Sequence, residues 1–178
     1  MGKIVKRSRF LFLLSFILIF SGLNCQKTSF ESDVLVDLPV DSMKNIISKS
    51  DVRFVKDISK DGNGCIRIDV DEAKYVRLYE LDNIDIEYAR LKYKAEVKTE
   101  NFAGNTFLEI WCFFEGKGRF FSRGLNNTLS GTNDWTTLET VFLLKKGENP
   151  DKVELDLVIN GTGGIIWVDA IRIEKAKL

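Results

Sequence analysis

The chain has no histidine, only two prolines and only three cysteines in 178 residues. Without histidine there is no imidazole base for a Ser-His-Asp arrangement and no His-built zinc site, and the cysteines do not stand at metal-ligand spacing. Charge of one sign is also missing: 26 bases balance 26 acids, with no long run of either. Nucleic acid wants a basic face, so that partner is excluded. Long apolar runs are confined to Phe10–Phe20, which is too short to span a bilayer comfortably. A long helical period is absent throughout.

What is present starts with a leader. Lys3, Lys6, Arg7 and Arg9 precede the apolar run, and Ser21-Gly22-Leu23-Asn24-Cys25 follows it, which is the pattern of a signal peptide. The cysteine after small and aliphatic residues resembles a bacterial lipobox, with Gly22 and Asn24 departing from its usual letters. That resemblance implies lipidation at Cys25, a cell-envelope location, and a membrane as one partner. Residues 1–24 are then the leader, 25–32 a polar tether and 33–178 the folded domain. Losing the leader removes four bases and no acids, leaving 22 bases against 26 acids.

Short alternating segments fill the rest. Asp33–Pro39 reads as an edge strand, Arg53–Val55 and Cys65–Val70 as a hairpin about Lys60-Asp61-Gly62-Asn63-Gly64, and Tyr75–Leu81 as a further strand. Asp41–Ser48 reads either as one helical turn or as loop. Arg90–Lys98 sets Leu91, Tyr93, Ala95 and Val97 against five charged residues, the pattern of a half-buried strand. Phe107–Glu115 and Arg119–Arg123 make another hairpin. Three closing strands, Thr136–Leu144, Lys152–Ile159 and Ile165–Ile173, are separated by Gly/Asn/Pro punctuation. Strands recurring about every ten residues predict an all-β fold, an antiparallel β-sandwich.

In the last strand Ile166 and Val168 share one parity, and Ile171 and Ile173 the other. A period of two cannot turn both pairs inward, so a β-bulge is expected at Asp169-Ala170. Cys65 and Cys112 are either a disulfide or two buried thiols; their spacing decides nothing.

The order Asn133-Asp134-Trp135, strand, Gly161-Thr162-Gly163-Gly164, Trp167-Val168-Asp169 resembles the closing strands of jelly-roll carbohydrate-binding modules of the galactose-binding-like group. The resemblance implies a jelly roll, a carbohydrate or glycan as partner, and structural roles for Trp135 and Trp167 in packing the closing strands on the core. It also implies a structural calcium shared by Asp169 and an acid near the first strand, Glu31 or Asp33. The alternative for Asp169 is that it satisfies free N–H groups of the bulge.

Phe107–Phe114 is the most informative strand. Leu108, Ile110, Cys112 and Phe114 form a core face, leaving Phe107, Glu109, Trp111 and Phe113 outward. Tyr75, Arg77 and Tyr79 repeat the theme of aromatics about a charge. Sugar rings stack flat C–H faces on aromatics while their hydroxyls need carboxylates or guanidinium, so Trp111, Phe113, Glu109, Tyr75, Arg77 and Tyr79 are the candidate ligand-binding residues. Either these form an open cleft, or a segment such as Met43–Ile47 buries them as a satellite core. The expectation is a non-catalytic, lipid-anchored, extracytoplasmic glycan-binding module. Its alternatives are a sandwich that contacts another protein without a sugar ligand, and a glycosidase. The last is disfavoured because Glu109, Glu139, Glu154 and Asp156 do not make the compact acidic motif of jelly-roll hydrolases.

Overall fold

The computed structural model describes residues 32–178, with Gly2 the only described residue before them. The leader, Cys25, Glu31 and the tether apart from Ser32 lie outside the described residues. Among the described residues there are nine strands and no helix: β1 (Ser32–Leu38), β2 (Val52–Val55), β3 (Cys65–Asp69), β4 (Lys74–Asp82), β5 (Ala89–Phe114), β6 (Gly118–Arg123), β7 (Leu129–Leu144), β8 (Lys152–Thr162) and β9 (Ile165–Ala176).

All the pairings are antiparallel, and β5 runs through both layers. Its first half lies between β9 and β7, its second half between β8 and β6. One layer is therefore β2-β3-β9-β5-β7, with β1 also on β9, and the other is β4-β8-β5-β6. The two strands expected at Arg90–Lys98 and Phe107–Glu115 are one strand. Asn101 and Gly104 take positive φ where its halves meet, so turn-like residues sit inside a ladder that nevertheless continues. Gly104 is required there: a Cβ would lie 2.2 Å from the Asn160 carbonyl oxygen.

The layers close on one interior. Leu91, Tyr93, Ala95 and Val97 from the first half of β5 and Leu108, Ile110, Cys112 and Phe114 from the second belong to one buried cluster. Cys65 and Cys112 are both buried free thiols, and burial is the main cause that pushes each up to about 12. Residues 41–50 form turns, so the loop alternative holds there. Ile47 and Ser48 donate backbone N–H groups to the Leu78 and Arg77 carbonyls at 3.2 and 2.9 Å, which covers the open edge of β4.

The bulge in β9 is present. Ala170 has φ 46°, and the ladder to β5 skips between Lys94 and Glu96. Ile166 and Val168 before it, and Ile171 and Ile173 after it, all enter the interior cluster. Asp169 Oδ1 accepts the Ala170 N–H at 2.7 Å, while Oδ2 accepts from Lys60 N at 2.7 Å and Ser59 Oγ at 3.2 Å. One carboxylate thus ties the bulge to the β2–β3 turn. Burial raises its pKa, against the lowering effect of those backbone donors.

Trp167 departs from its expected role. It is 1% exposed but stands outside the interior cluster, because its parity is opposite to that of Ile166 and Val168. It lies in register between Arg67 and Lys98, with the Arg67 guanidinium 5.6 Å from its ring. Trp135 is half-buried and also outside that cluster.

Candidate ligand-binding face

The outer face of β4-β8-β5-β6 carries four transverse rows set by register. The first is Phe107–Val158–Tyr75; the second Arg123–Glu109–Asp156–Arg77; the third Phe121–Trp111–Glu154–Glu80; the fourth Arg119–Phe113–Lys152–Asp82. Alternation generates them on β5, β6 and β8, since every second residue of a strand shares a face; on β4 a register shift after Arg77 brings Glu80 and Asp82 into the third and fourth rows.

In the second row two acids stand side by side, flanked by guanidinium groups. Like charges directly opposite are destabilising unless neutralised. Arg77 Nε and Nη2 bind both Asp156 oxygens at 2.9 and 3.2 Å, and Arg123 Nε binds Glu109 Oε2. Trp111 Nε1 donates to Glu109 Oε1 at 2.7 Å. Arg77 Nη2 also lies 2.7 Å from Glu154 Oε2, off line for a hydrogen bond, and Lys152 Nζ lies 2.7 Å from Glu154 Oε1. Burial is the main influence on Asp156 and leaves its pKa above the ordinary 3.8: Arg77 pulls it down, but Glu109 and Glu154 push it further up. Hydrogen bonding to Asp156 is in turn the main cause that raises Arg77.

Aromatic rings alternate with these ions. Trp111 and Phe121 have centroids 4.8 Å apart; Arg119 lies 4.5 Å over Trp111, Arg123 4.6 Å over Phe121 and Lys152 4.5 Å over Phe113. Phe113 and Arg119 also line a surface hollow of about 490 Å³ with Phe114, Glu115, Gly118 and Asp151.

Five of the six candidate ligand residues share this face, and one does not. Trp111 and Phe113 are half-buried, Tyr75 is 60% exposed, and Arg77 and Glu109 sit between them. Glu109 is fully buried beneath its partners instead of open to a ligand, and Phe107 is 3% exposed. Tyr79 is on the opposite side. A bulge between Arg77 and Tyr79 shifts the register, so Tyr79 pairs with inward Leu155 and joins the core at 5% exposed. Its pKa is raised mainly by burial. The parity of Leu81 against Val76 and Leu78 carries the signal for that bulge. Arg119, Phe121 and Arg123 on β6, and Lys152, Glu154 and Asp156 on β8, complete the face. Period two in both strands reveals them. Phe120, adjacent to Phe121, turns the other way, its ring 6.1 Å from Phe114.

Calcium does not fit the described residues. It needs about six or more oxygens, whereas the Asp169 oxygens already serve three donors. Asp33 pairs with Lys175, six residues along β9 from Asp169 and so roughly 20 Å away. Glu31 is outside the described residues. Among those residues, no group of three His, Cys, Asp or Glu side chains is placed to hold a metal.

No protein-family model and no curated protein matches the sequence. Solved structures do match. The chain is similar to the family 22 xylan-binding domain of Paenibacillus barcinonensis Xyn10C, with a TM-score of 0.62 and 11% identity over 83% of this chain and 97% of that one. It is also similar to the C-terminal family 22 carbohydrate-binding module of Clostridium thermocellum Xyn10B, at TM-score 0.57 and 8% identity over 80% and 94% of the two chains. A family 61 module, TmCBM61, solved with β-1,4-galactotriose, matches at TM-score 0.53 and 13% identity over 79% and 97%. At such identities the likeness speaks for architecture alone: the chain has the jelly-roll β-sandwich fold of these carbohydrate-binding modules.

Proposed function

We propose that this chain is a non-catalytic module that holds a carbohydrate on the outer face of β4-β8-β5-β6. The observation that carries the reading is the group of half-exposed rings, Trp111, Phe113 and Phe121, framed by Arg77, Arg119, Arg123 and Lys152 on one sheet face. Rings supply stacking area, and the ions fix orientation. The fold's likeness to xylan- and galactotriose-binding modules supports the same reading. A hydrolytic role would need one carboxyl free to give a proton and another open to water. Here Glu109 and Asp156 are buried and held by guanidinium groups.

The leader supports a place outside the cytoplasm, with a lipid on Cys25 as the anchor; more than one acyl chain makes such anchoring stable. Metabolic labelling with a fatty acid tests this, with label lost in Cys25→Ala. For the carbohydrate, the detergent-solubilised full chain is presented to a broad glycan panel beside Trp111→Ala and Phe113→Ala variants of unchanged melting behaviour. Binding by the parent that both variants lose supports the module. Silence from all three removes it.

One observation favours a second reading, a surface that contacts another protein. Phe120 and Leu143 are 51% and 59% exposed beside a hollow of about 330 Å³ lined also by Phe114 and Phe142. It predicts a partner lost by Phe120→Ser with glycan binding intact.

A further inference from the structure

The face presents a ligand with donors, not acceptors. Side chains of Glu109, Asp156 and Glu154 are 1%, 2% and 4% exposed, while those of Arg77, Lys152 and Arg123 are 30%, 34% and 35% exposed. Both oxygens of Glu109 and both of Asp156 already accept hydrogen bonds from Trp111, Arg123 and Arg77. A sugar hydroxyl therefore finds few free carboxylate acceptors, whereas a guanidinium has five N–H groups and no acceptor. Arg119 is the extreme case. It is exposed, has no carboxylate partner among the described residues, and rests on the Trp111 ring. A neutral sugar that stacked on that ring surface would have to push Arg119 aside.

Resting on the carbohydrate reading, we infer that this face selects acidic glycans, and specifically those whose uronate carboxylates are gripped by Arg119 above Trp111. The guanidinium fork matches a planar carboxylate through two parallel N–H bonds, a geometry that a lysine or a neutral hydroxyl does not reproduce. Acids at the margin do not cancel this. Glu80 contacts Arg77 at 3.3 Å, Asp151 accepts the Glu115 N–H at 2.5 Å, and Glu115 and Asp82 lie at the strand ends. Attraction from the whole molecule does not explain such binding, since the chain without its leader carries 22 bases against 26 acids. The selectivity is local.

The test measures affinity of the detergent-solubilised full chain at physiological salt for polygalacturonate, for the same polymer methyl-esterified, for neutral xylan and galactan, and for a sulfated galactan. Esterification removes the charge and keeps the backbone. The expected result is at least about tenfold tighter binding of the acid form than of its ester, the scale of one charge-assisted bidentate pair. Arg119→Gln, with melting unchanged, should lose about that factor for the acid form alone. Lys92→Gln on the other layer should leave it unaltered. Equal binding of acid and ester, preference for the sulfated polymer, or indifference to Arg119→Gln overturns the uronate assignment. If a neutral glycan then binds in a Trp111-dependent way, the carbohydrate reading survives its loss. If no glycan binds, both fall.

Discussion

The two halves of β5 share one backbone, one pleat and one interior, yet present opposite exteriors. From Ala89 the inward row is Leu91, Tyr93, Ala95, Val97, and the outward row is Arg90, Lys92, Lys94, Glu96, Lys98. From Phe107 the inward row is Leu108, Ile110, Cys112, Phe114, and the outward row is Phe107, Glu109, Trp111, Phe113. In the first half, the outward lysines pair with acids of the neighbouring strands, Lys98 with Asp134 at 2.9 Å and Lys94 with Glu174 at 2.8 Å and Glu139 at 3.8 Å. Beside the second half, three acids are buried, Glu109 on β5 and Glu154 and Asp156 on β8, and each lies against a guanidinium group from β4 or β6. Solubility explains the first arrangement. It does not explain the second, because a buried ion cluster is seldom more stable than an apolar one of equal volume. A face assembled at that disadvantage points to recognition.

The contrast is broken hardest by Arg77→Ala. Removing the partner of buried Asp156 and Glu154 should lower unfolding stability by about 3 kcal/mol, whereas Lys98→Ala on the solvated half, whose partner Asp134 is exposed, should lower it by only about 0.5 kcal/mol. Denaturant melts of both variants check this, and equal losses would erase the distinction between the halves. Next comes the junction. Gly104→Ala places a Cβ against the Asn160 carbonyl at a positive φ, and should lower stability by about 2 kcal/mol. An unchanged melt would show that the halves do not depend on that close approach.

Glu174 and Asp156, one beside each half, have pKa values shifted in opposite directions. Burial works to raise Glu174, but hydrogen bonds from Lys94 and Ser32 outweigh it and leave its pKa below the ordinary 4.5. Its contribution is therefore whole above pH 4.5 and is lost as pH falls through the lower folded value. Asp156 has the opposite sign: its folded pKa is above 3.8, so its ionised form is a burden above that folded value, relieved as pH falls through it. Glu174→Gln should flatten the acid arm of a stability-versus-pH curve, and Asp156→Asn should steepen it. Chemical denaturation across pH 3 to 7 reads both slopes; slopes of the same sign would contradict the assignment.

Much of this was legible in the alternation of residues. Lys92-x-Lys94-x-Glu96-x-Lys98 and Glu109-x-Trp111-x-Phe113 both name their faces, and the parity of Ile166 and Val168 against Ile171 and Ile173 reveals the bulge at Ala170. The same test applied to Leu81 exposes the bulge that turns Tyr79 inward. It is easily missed, because Leu78 and Tyr79 are both fit to be buried and neither parity leaves an obvious misfit. Burial of the carboxylates was not legible. Their partners come from other strands: Arg77 is 79 residues from Asp156 and Arg123 14 from Glu109. Only strand order brings those side chains into one row. The continuity of β5 was hidden for a local reason, since Asn101-Phe102-Ala103-Gly104-Asn105 has the letters of a turn.

The most direct test of two exteriors on one strand is backbone amide NMR of the protein titrated with whichever glycan the panel identifies. Shift changes are expected along Phe107–Phe113, Arg119–Arg123 and Lys152–Asp156, with none along Arg90–Lys98. Changes centred on Arg90–Lys98 would contradict this, placing recognition on the solvated half and leaving the aromatic half as packing.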